Sequence, residues 1–193
     1  DWYHDTGDIQ SWDDPVEVVT GRVHGLPDLA QERPEVAAWL TKTSARWLER
    51  GGVDGFRVDA VRHMPLDFLA EINTSLHQGR PGLWTVGEDF NGDATALART
   101  LNEGGFDAVF DFPLRYAMID VFCHDAPMQR IASVLAADRL IDDPTRLVTF
   151  LDNHDLPRVL TECNNEAWRV DTALTFLMNA RGTPSLTWGT ELA

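Results

Sequence analysis

Three acidic residues stand where candidate strands of this chain give out: Asp59 in "GFRVDAVRH", Glu88 in "TVGEDF" and Asp155 in "FLDNHDLPR". Arg57 precedes Asp59 by two residues, so strand alternation puts both on one face. Arg62, His63 and His154 follow at or near the strand ends. Such a gathering is costly, because buried charges lose hydration and like charges repel; it persists where cations, hydrogen bonds or chemistry compensate. Two carboxylates at close range are what retaining glycoside hydrolysis needs. One attacks the anomeric carbon and the other, its pKa raised, protonates the leaving oxygen, at a separation of about 5–5.5 Å. Arg57 would then hold the attacking carboxylate ionised and oriented.

The elements that must position these residues alternate. Strands are expected at 55–60, 83–88, 106–112, 146–151 and 184–188, the first of them buried, with its ion pair inside. Helices are expected at 65–77, 93–103, 113–138 in some broken form, and 166–180. Ahead of them, "RPEVAAWLTKTSARWLERGG" is a helix with Pro34 in its first turn, a stripe of Val36, Leu40, Trp47 and Leu48, and two glycines at its end. Strand–helix repeats mean an α/β fold with parallel pairing. Charged residues at successive C-terminal strand ends favour a (β/α)8 TIM barrel over a doubly wound sheet, and no Gly-rich phosphate turn follows any strand. A whole barrel takes about 250 residues and eight strands. The 193 residues are therefore expected to hold a partial barrel, roughly its C-terminal five strands, with the first strands absent. Residues 1–33 form a loop region ahead of the partial barrel of 34–193, and residues 1–30 show no sustained period.

The spacing brings the acids together. Asp59 and Glu88 are 29 residues apart, one strand–helix unit, and Glu88 and Asp155 are 67 apart, two units. Each motif has a plainer reading when taken singly: an interior ion pair, a strand ending in an acid, an Asp capping the turn before Pro157. Their order and spacing together favour the chemistry.

The net charge of −15 argues against nucleic acid, which demands a basic face, and against an anionic membrane surface. No run reaches the roughly 18 apolar residues of a membrane span, and no signal peptide opens the chain, which begins abruptly; secretion and cytoplasmic residence both stay open. Cys123 and Cys163 read as free thiols or an optional bridge. Trp2, Tyr3 and Trp12 lie in the opening loop, where exposed rings could stack on sugar faces, whereas Trp39 and Trp47 read as packing residues of the helix. His77 and His124 have no partner that spacing identifies and are expected at the surface.

Taken together, these motifs resemble the α-amylase family of glycoside hydrolases along nearly the whole chain. "GFRVDAVRH" is similar to the family's strand-four segment, "GE" at 87–88 to strand five, "FLDNHD" to strand seven, "GTPSLTWGTE" to strand eight, and "LPDL" at 26–29 to a short motif in the loop domain after strand three. The resemblance implies an enzyme, a retaining hydrolase of α-1,4 bonds in starch or maltooligosaccharides. It implies Asp59 as nucleophile, Glu88 as general acid/base and Asp155 as the carboxylate that grips sugar hydroxyls and stabilises the distorted ring. It further implies substrate contacts from Arg57, Arg62, His63 and His154, and calcium held by Asp28 and the backbone carbonyl of His63, with one of Asp13, Asp14 or Glu17 nearby as another ligand. Asp28 equally fits a turn-forming Asp after Pro27. The family's strand-three segment, an Asp before Asn-His, is not in the sequence. The chain is thus expected to carry every catalytic carboxylate without closing a working cleft alone, the missing strands coming from another segment or a second copy. The alternatives are a transglycosylase of the same family, such as a glucanotransferase, and an inactive barrel scaffold.

Overall fold

Asp14 followed by Pro15 starts the first helix, α1 (Pro15–Thr20), in the computed structural model, which describes residues 1–192. The Asp14 carboxylate accepts from the amides of Val16 and Glu17, and proline supplies the preset φ of a first turn. The opening segment is therefore not a loop throughout. Isolated bridges also join Tyr3 to Leu29 and Asp8 to Arg22. Six residues are too few for a helical period to show, so only the Asp-Pro start marked this helix in the sequence.

The described residues divide into two units. The first comprises Asp1–Asp89 with Thr100–Asp107. In it α2 (Pro34–Gly51) ends on Gly52, whose φ of 60° places it in the left-handed conformation that glycine adopts without steric cost. Then come β1 (Gly55–Val58), a 3₁₀ turn at Val61–His63, α3 (Leu66–Gly79) and β2 (Trp84–Gly87). β1 and β2 pair in parallel, from Gly55 opposite Trp84 to Val58 opposite Gly87. Leu48, Leu76 and Leu83 form a buried cluster against which Val53, Phe56 and Ile72 pack. Phe56 thus faces the helices, and Arg57 turns the other way. That other face is not buried: Arg57 and Asp59 are exposed, contrary to the interior pair expected from the sequence. Their charges keep water, so this face meets no desolvation cost within the unit.

The second unit comprises Phe90–Arg99 and the residues from Ala108 on. α4 (Ala94–Glu103), whose residues from Thr100 on are counted with the first unit, precedes β3 (Ala108–Phe110), and α5 (Phe112–Cys123) and α6 (Gln129–Ala136) follow. The break expected within 113–138 falls between α5 and α6, where Asp125 has a φ of 57° and Pro127 lacks an amide hydrogen. β4 (Leu147–Thr149), α7 (Val159–Glu162), α8 (Ala167–Asn179) and β5 (Thr183–Pro184) complete the unit. β4 pairs in parallel with β3 on one side and β5 on the other. Leu114, Met118, Leu151, Val159, Val170 and Leu177 belong to its buried core. Cys123 and Cys163 are disulfide-bonded with Cα atoms 4.2 Å apart, which removes the free-thiol alternative. Among the described residues no helix is long and apolar enough to cross a membrane.

All five strands are shorter than the sequence suggests. The tryptophans of α2 also depart from expectation. Trp47 is 63% exposed, and Trp39, also exposed, meets the edge of Trp2 at 5.5 Å between ring centroids. Only Val36 and Leu48 of that helix are buried; Trp47, one residue and therefore about 100° from Leu48, falls on its flank.

Candidate active site

In the first unit the ladder register settles where Asp59 and Glu88 stand. Val58 pairs with Gly87, so the two acids are the next residues on adjoining parallel strands. The Glu88 amide donates to the Val58 carbonyl at 2.8 Å, and the Glu88 carbonyl accepts from Val61 at 3.0 Å. Between these bonds Ala60 takes a φ of 52°. A left-handed alanine is uncommon and costs energy, and such residues gather at functional sites. Here it turns the chain out of β1 immediately after Asp59 and aims the Ala60 amide at Glu88, whose Oε2 accepts it at 3.1 Å.

The two carboxylates have different surroundings. Glu88 is 5% exposed, while the Asp59 side chain is 69% exposed. Arg57 Nη1 donates to Asp59 Oδ1 at 2.6 Å. One acid is enclosed beside a backbone amide; its neighbour is open and held by a guanidinium. That asymmetry suits a proton donor beside a nucleophile.

Arg62 and His63 leave this strand end toward the opening segment. Arg62 Nη2 donates to the Trp12 carbonyl at 3.1 Å, with its guanidinium 5.8 Å from the Trp12 ring centroid. His63 Nδ1 lies 2.8 Å from the Val18 carbonyl and meets the Trp12 ring edge-on. Trp2, Tyr3 and Trp12 are exposed, as expected for the opening segment. In the second unit His154 Nε2 lies 3.0 Å from Asp155 Oδ2, and Asn153 Oδ1 accepts the Asp155 amide at 2.9 Å.

Asp28 contacts His4, its Oδ2 lying 2.6 Å from Nδ1, and Glu32 approaches the other ring nitrogen at 3.1 Å. Burial raises the Asp28 carboxyl above its ordinary value against the opposing pull of His4. Asp14 is spent on capping α1, and Glu17 Oε2 accepts the amides of Gln10 and Ser11, both at 2.8 Å. Calcium takes about six to eight oxygens. Among the described residues no three ligating side chains converge, and one Asp28 oxygen is engaged by His4. The residues present do not by themselves make a calcium shell.

Several polar residues in the structure escaped the sequence reading. Asp89, next to Glu88, is buried and accepts from Thr100 Oγ1 at 2.7 Å; burial pushes its carboxyl up, with Thr100, Arg62 and His63 pulling the other way. His77 has a partner after all: its Nε2 lies 2.9 Å from Asp107 Oδ2. His124 is exposed, as expected, though within 4 Å of Asp120 and Glu162. Asp152 is buried among hydrogen-bond donors three residues before Asp155. The signal for it was present in the repeated Asp of "DNHD", but spacing alone does not separate a site acid from a supporting one.

Parallel strand–helix units with acids at the C-terminal strand ends define part of a (β/α)8-barrel of the kind that carries enzyme sites. The chain belongs to the α-amylase family, since the family model "Alpha amylase, catalytic domain" matches residues 2–193. It is 35% identical to a beta/alpha-amylase of Paenibacillus polymyxa over 99% of this chain and 16% of that protein. It is 33% identical to a cyclomaltodextrin glucanotransferase of Bacillus licheniformis over 88% of this chain and 24% of that protein. An α-amylase from Geobacillus thermoleovorans, solved in complex with acarbose, superposes with a TM-score of 0.91 at 32% identity, covering 98% of this chain and 44% of that one. The chain thus spans less than half the length of each of these relatives.

Proposed function

We propose that this chain supplies the catalytic carboxylates of an enzyme that cleaves α-1,4-glucosidic bonds of starch or maltooligosaccharides with retention. The observation that carries this reading is the pairing of Asp59 with Glu88 at adjoining strand ends, one exposed beside Arg57 and the other enclosed. Asp59 attacks the anomeric carbon while Glu88 protonates the departing glycosidic oxygen, giving a covalent glycosyl-enzyme. Glu88 then takes a proton from water, which attacks the same carbon and releases Asp59. Asp155 stabilises the oxocarbenium-like transition state, and Arg57, Arg62, His63 and His154 contact the sugar. Residues 1–33 are the loop region after strand three, and the remaining barrel strands come from another segment or a second copy. Calcium, if Asp28 and the His63 carbonyl take part in holding it, needs further oxygens from beyond these residues.

A second reading has a specific support, the 33% identity to a cyclomaltodextrin glucanotransferase. The same carboxylates serve when a sugar hydroxyl replaces water as acceptor. The test uses a protein that contains this chain with the rest of its barrel. Asp59→Asn, Glu88→Gln and Asp155→Asn should each cut maltoheptaose cleavage at least 100-fold. Activity within a few-fold of the parent for Asp59→Asn or Glu88→Gln rejects the proposal. Products shorter than maltoheptaose alone indicate hydrolysis, and longer or cyclic products indicate transfer.

A further inference from the structure

We propose that Asp152 and Arg158 form a clamp that fixes the loop carrying Asp155, which makes Asp152 a positioning residue; its link to catalysis rests on the role proposed above for Asp155. β4 stops at Thr149, so no ladder holds the residues that follow. From Asn153 to Arg158 the chain is exposed or half-buried, and buried Asp152 and Val159 stand at either end. One carboxylate ties those ends together. Asp152 Oδ2 accepts the Val159 amide at 2.9 Å and lies 3.1 Å from Arg158 Nε.

The same carboxylate also anchors the loop to the segment after β5. Asp152 Oδ1 accepts from Thr190 Oγ1 at 2.9 Å, and the Asp152 carbonyl accepts from Thr187 Oγ1 at 2.7 Å. Arg158 Nη2 completes the ring, donating to Thr190 Oγ1 at 2.9 Å and to the Trp188 carbonyl at 3.2 Å. A buried carboxylate meeting amide, hydroxyl and guanidinium donors is strongly held, and in a low-dielectric setting each bond reinforces the next. Inside the clamped span the Asn153 side chain fixes the Asp155 amide, and His154 touches the Asp155 carboxylate. Support of this kind matters because a displacement of about 1 Å in a reacting group costs about 100-fold in rate.

The test again uses the protein containing this chain with its complete barrel. Thr190→Val removes one hydroxyl at nearly constant volume; Asp152→Asn removes the charge; Thr190→Ser keeps the hydroxyl. The clamp predicts at least tenfold faster hydrogen exchange of the amides of residues 153–156 in Thr190→Val, with Thr190→Ser close to the parent. For maltoheptaose, kcat should fall about 10-fold in Thr190→Val and about 100-fold in Asp152→Asn, with KM within about threefold of the parent. If Asp152→Asn does not fold, Thr190→Val carries the test. Unchanged exchange in Thr190→Val, or equal loss in Thr190→Ser, overturns the clamp. Asp155→Asn run alongside separates the two ideas. A fully active Asp155→Asn removes Asp155 from the mechanism while exchange still judges the clamp; an inactive one with unaltered Thr190→Val kinetics and exchange removes the clamp alone.

Discussion

Arg57 and Asp59 are in ion contact at 2.6 Å across a single intervening residue, on a strand face that is exposed within this chain. Exposed pairs of this kind contribute about 0–1 kcal/mol to stability. If the pair exists to orient a nucleophile, removing the guanidinium should damage activity far more than folding. Arg57→Met is expected to lower kcat/KM at least 100-fold while the free energy of unfolding changes by less than about 1 kcal/mol. Steady-state kinetics beside urea denaturation checks both halves. A loss of stability large enough to account for the lost activity would make the pair structural.

The strand that bears this pair depends on a close approach at its start. A Cβ built on Gly55 would lie 2.2 Å from the Trp84 carbonyl oxygen on β2, closer than any real contact allows, and backbone cannot step aside as a flexible side chain can. Gly55→Ala should therefore destabilise the β1–β2 pairing by about 1–3 kcal/mol. Gly79, the last residue of α3, has open space around the same atom. Gly79→Ala should leave stability unchanged or raise it by up to about 1 kcal/mol. Urea unfolding midpoints of the two variants test the contrast.

Cys123 closes α5 and Cys163 follows α7, and the bond between them spans 40 residues of chain. A cross-link over such a loop stabilises by about 2–4 kcal/mol, chiefly by restricting the unfolded chain. The urea midpoint should drop in reducing buffer, and a Cys123→Ala/Cys163→Ala double variant should reproduce that drop in oxidising buffer. Both cysteines are buried, so native protein should resist reductant until it opens.

These features differ in how far the chain's letters disclose them. Alternation of Phe56 and Val58 with Arg57 and Asp59 was enough to identify β1, and the Pro34 and Gly52 signals bounded α2, because both rest on neighbours within a few residues. The placing of Asp59 beside Glu88 was legible since a strand–helix unit has a nearly fixed length, which the β1–β2 register reflects. Pairings across long stretches were not. Cys123 with Cys163, His77 with Asp107, and Asp152 with Thr190 are set by how helices and strand ends pack, which no local period encodes. The exposure of Asp59 is hidden for a related reason: strand alternation tells which residues share a face, but not what covers it.

His77 offers a prediction whose sign can be worked out. Its Nδ1 lies 2.7 Å from the Asn73 carbonyl and its Nε2 lies 2.9 Å from the Asp107 carboxylate, so both ring nitrogens face acceptors and only the imidazolium can donate to both. Partial burial pulls the histidine pKa down, but the bonds to Asp107 and Asn73 outweigh it and the net shift is upward from 6.5. Asp107 Oδ2 also accepts the Thr85 amide at 2.7 Å, so the charged ring ties α3 to β2 through one carboxylate. A folded-state pKa above the unfolded one means that the folded protein holds the proton more tightly. The stabilisation is therefore complete below about pH 6.5 and is lost as pH rises through the elevated folded value. Urea unfolding at pH 6 and pH 9 should show the parent losing more stability over that interval than His77→Gln, which cannot titrate. Proton NMR of the His77 ring should place its titration above that of an unstructured peptide. Equal pH dependence in the two proteins would mean that Asp107 holds a neutral ring and that the tie between α3 and β2 is indifferent to pH.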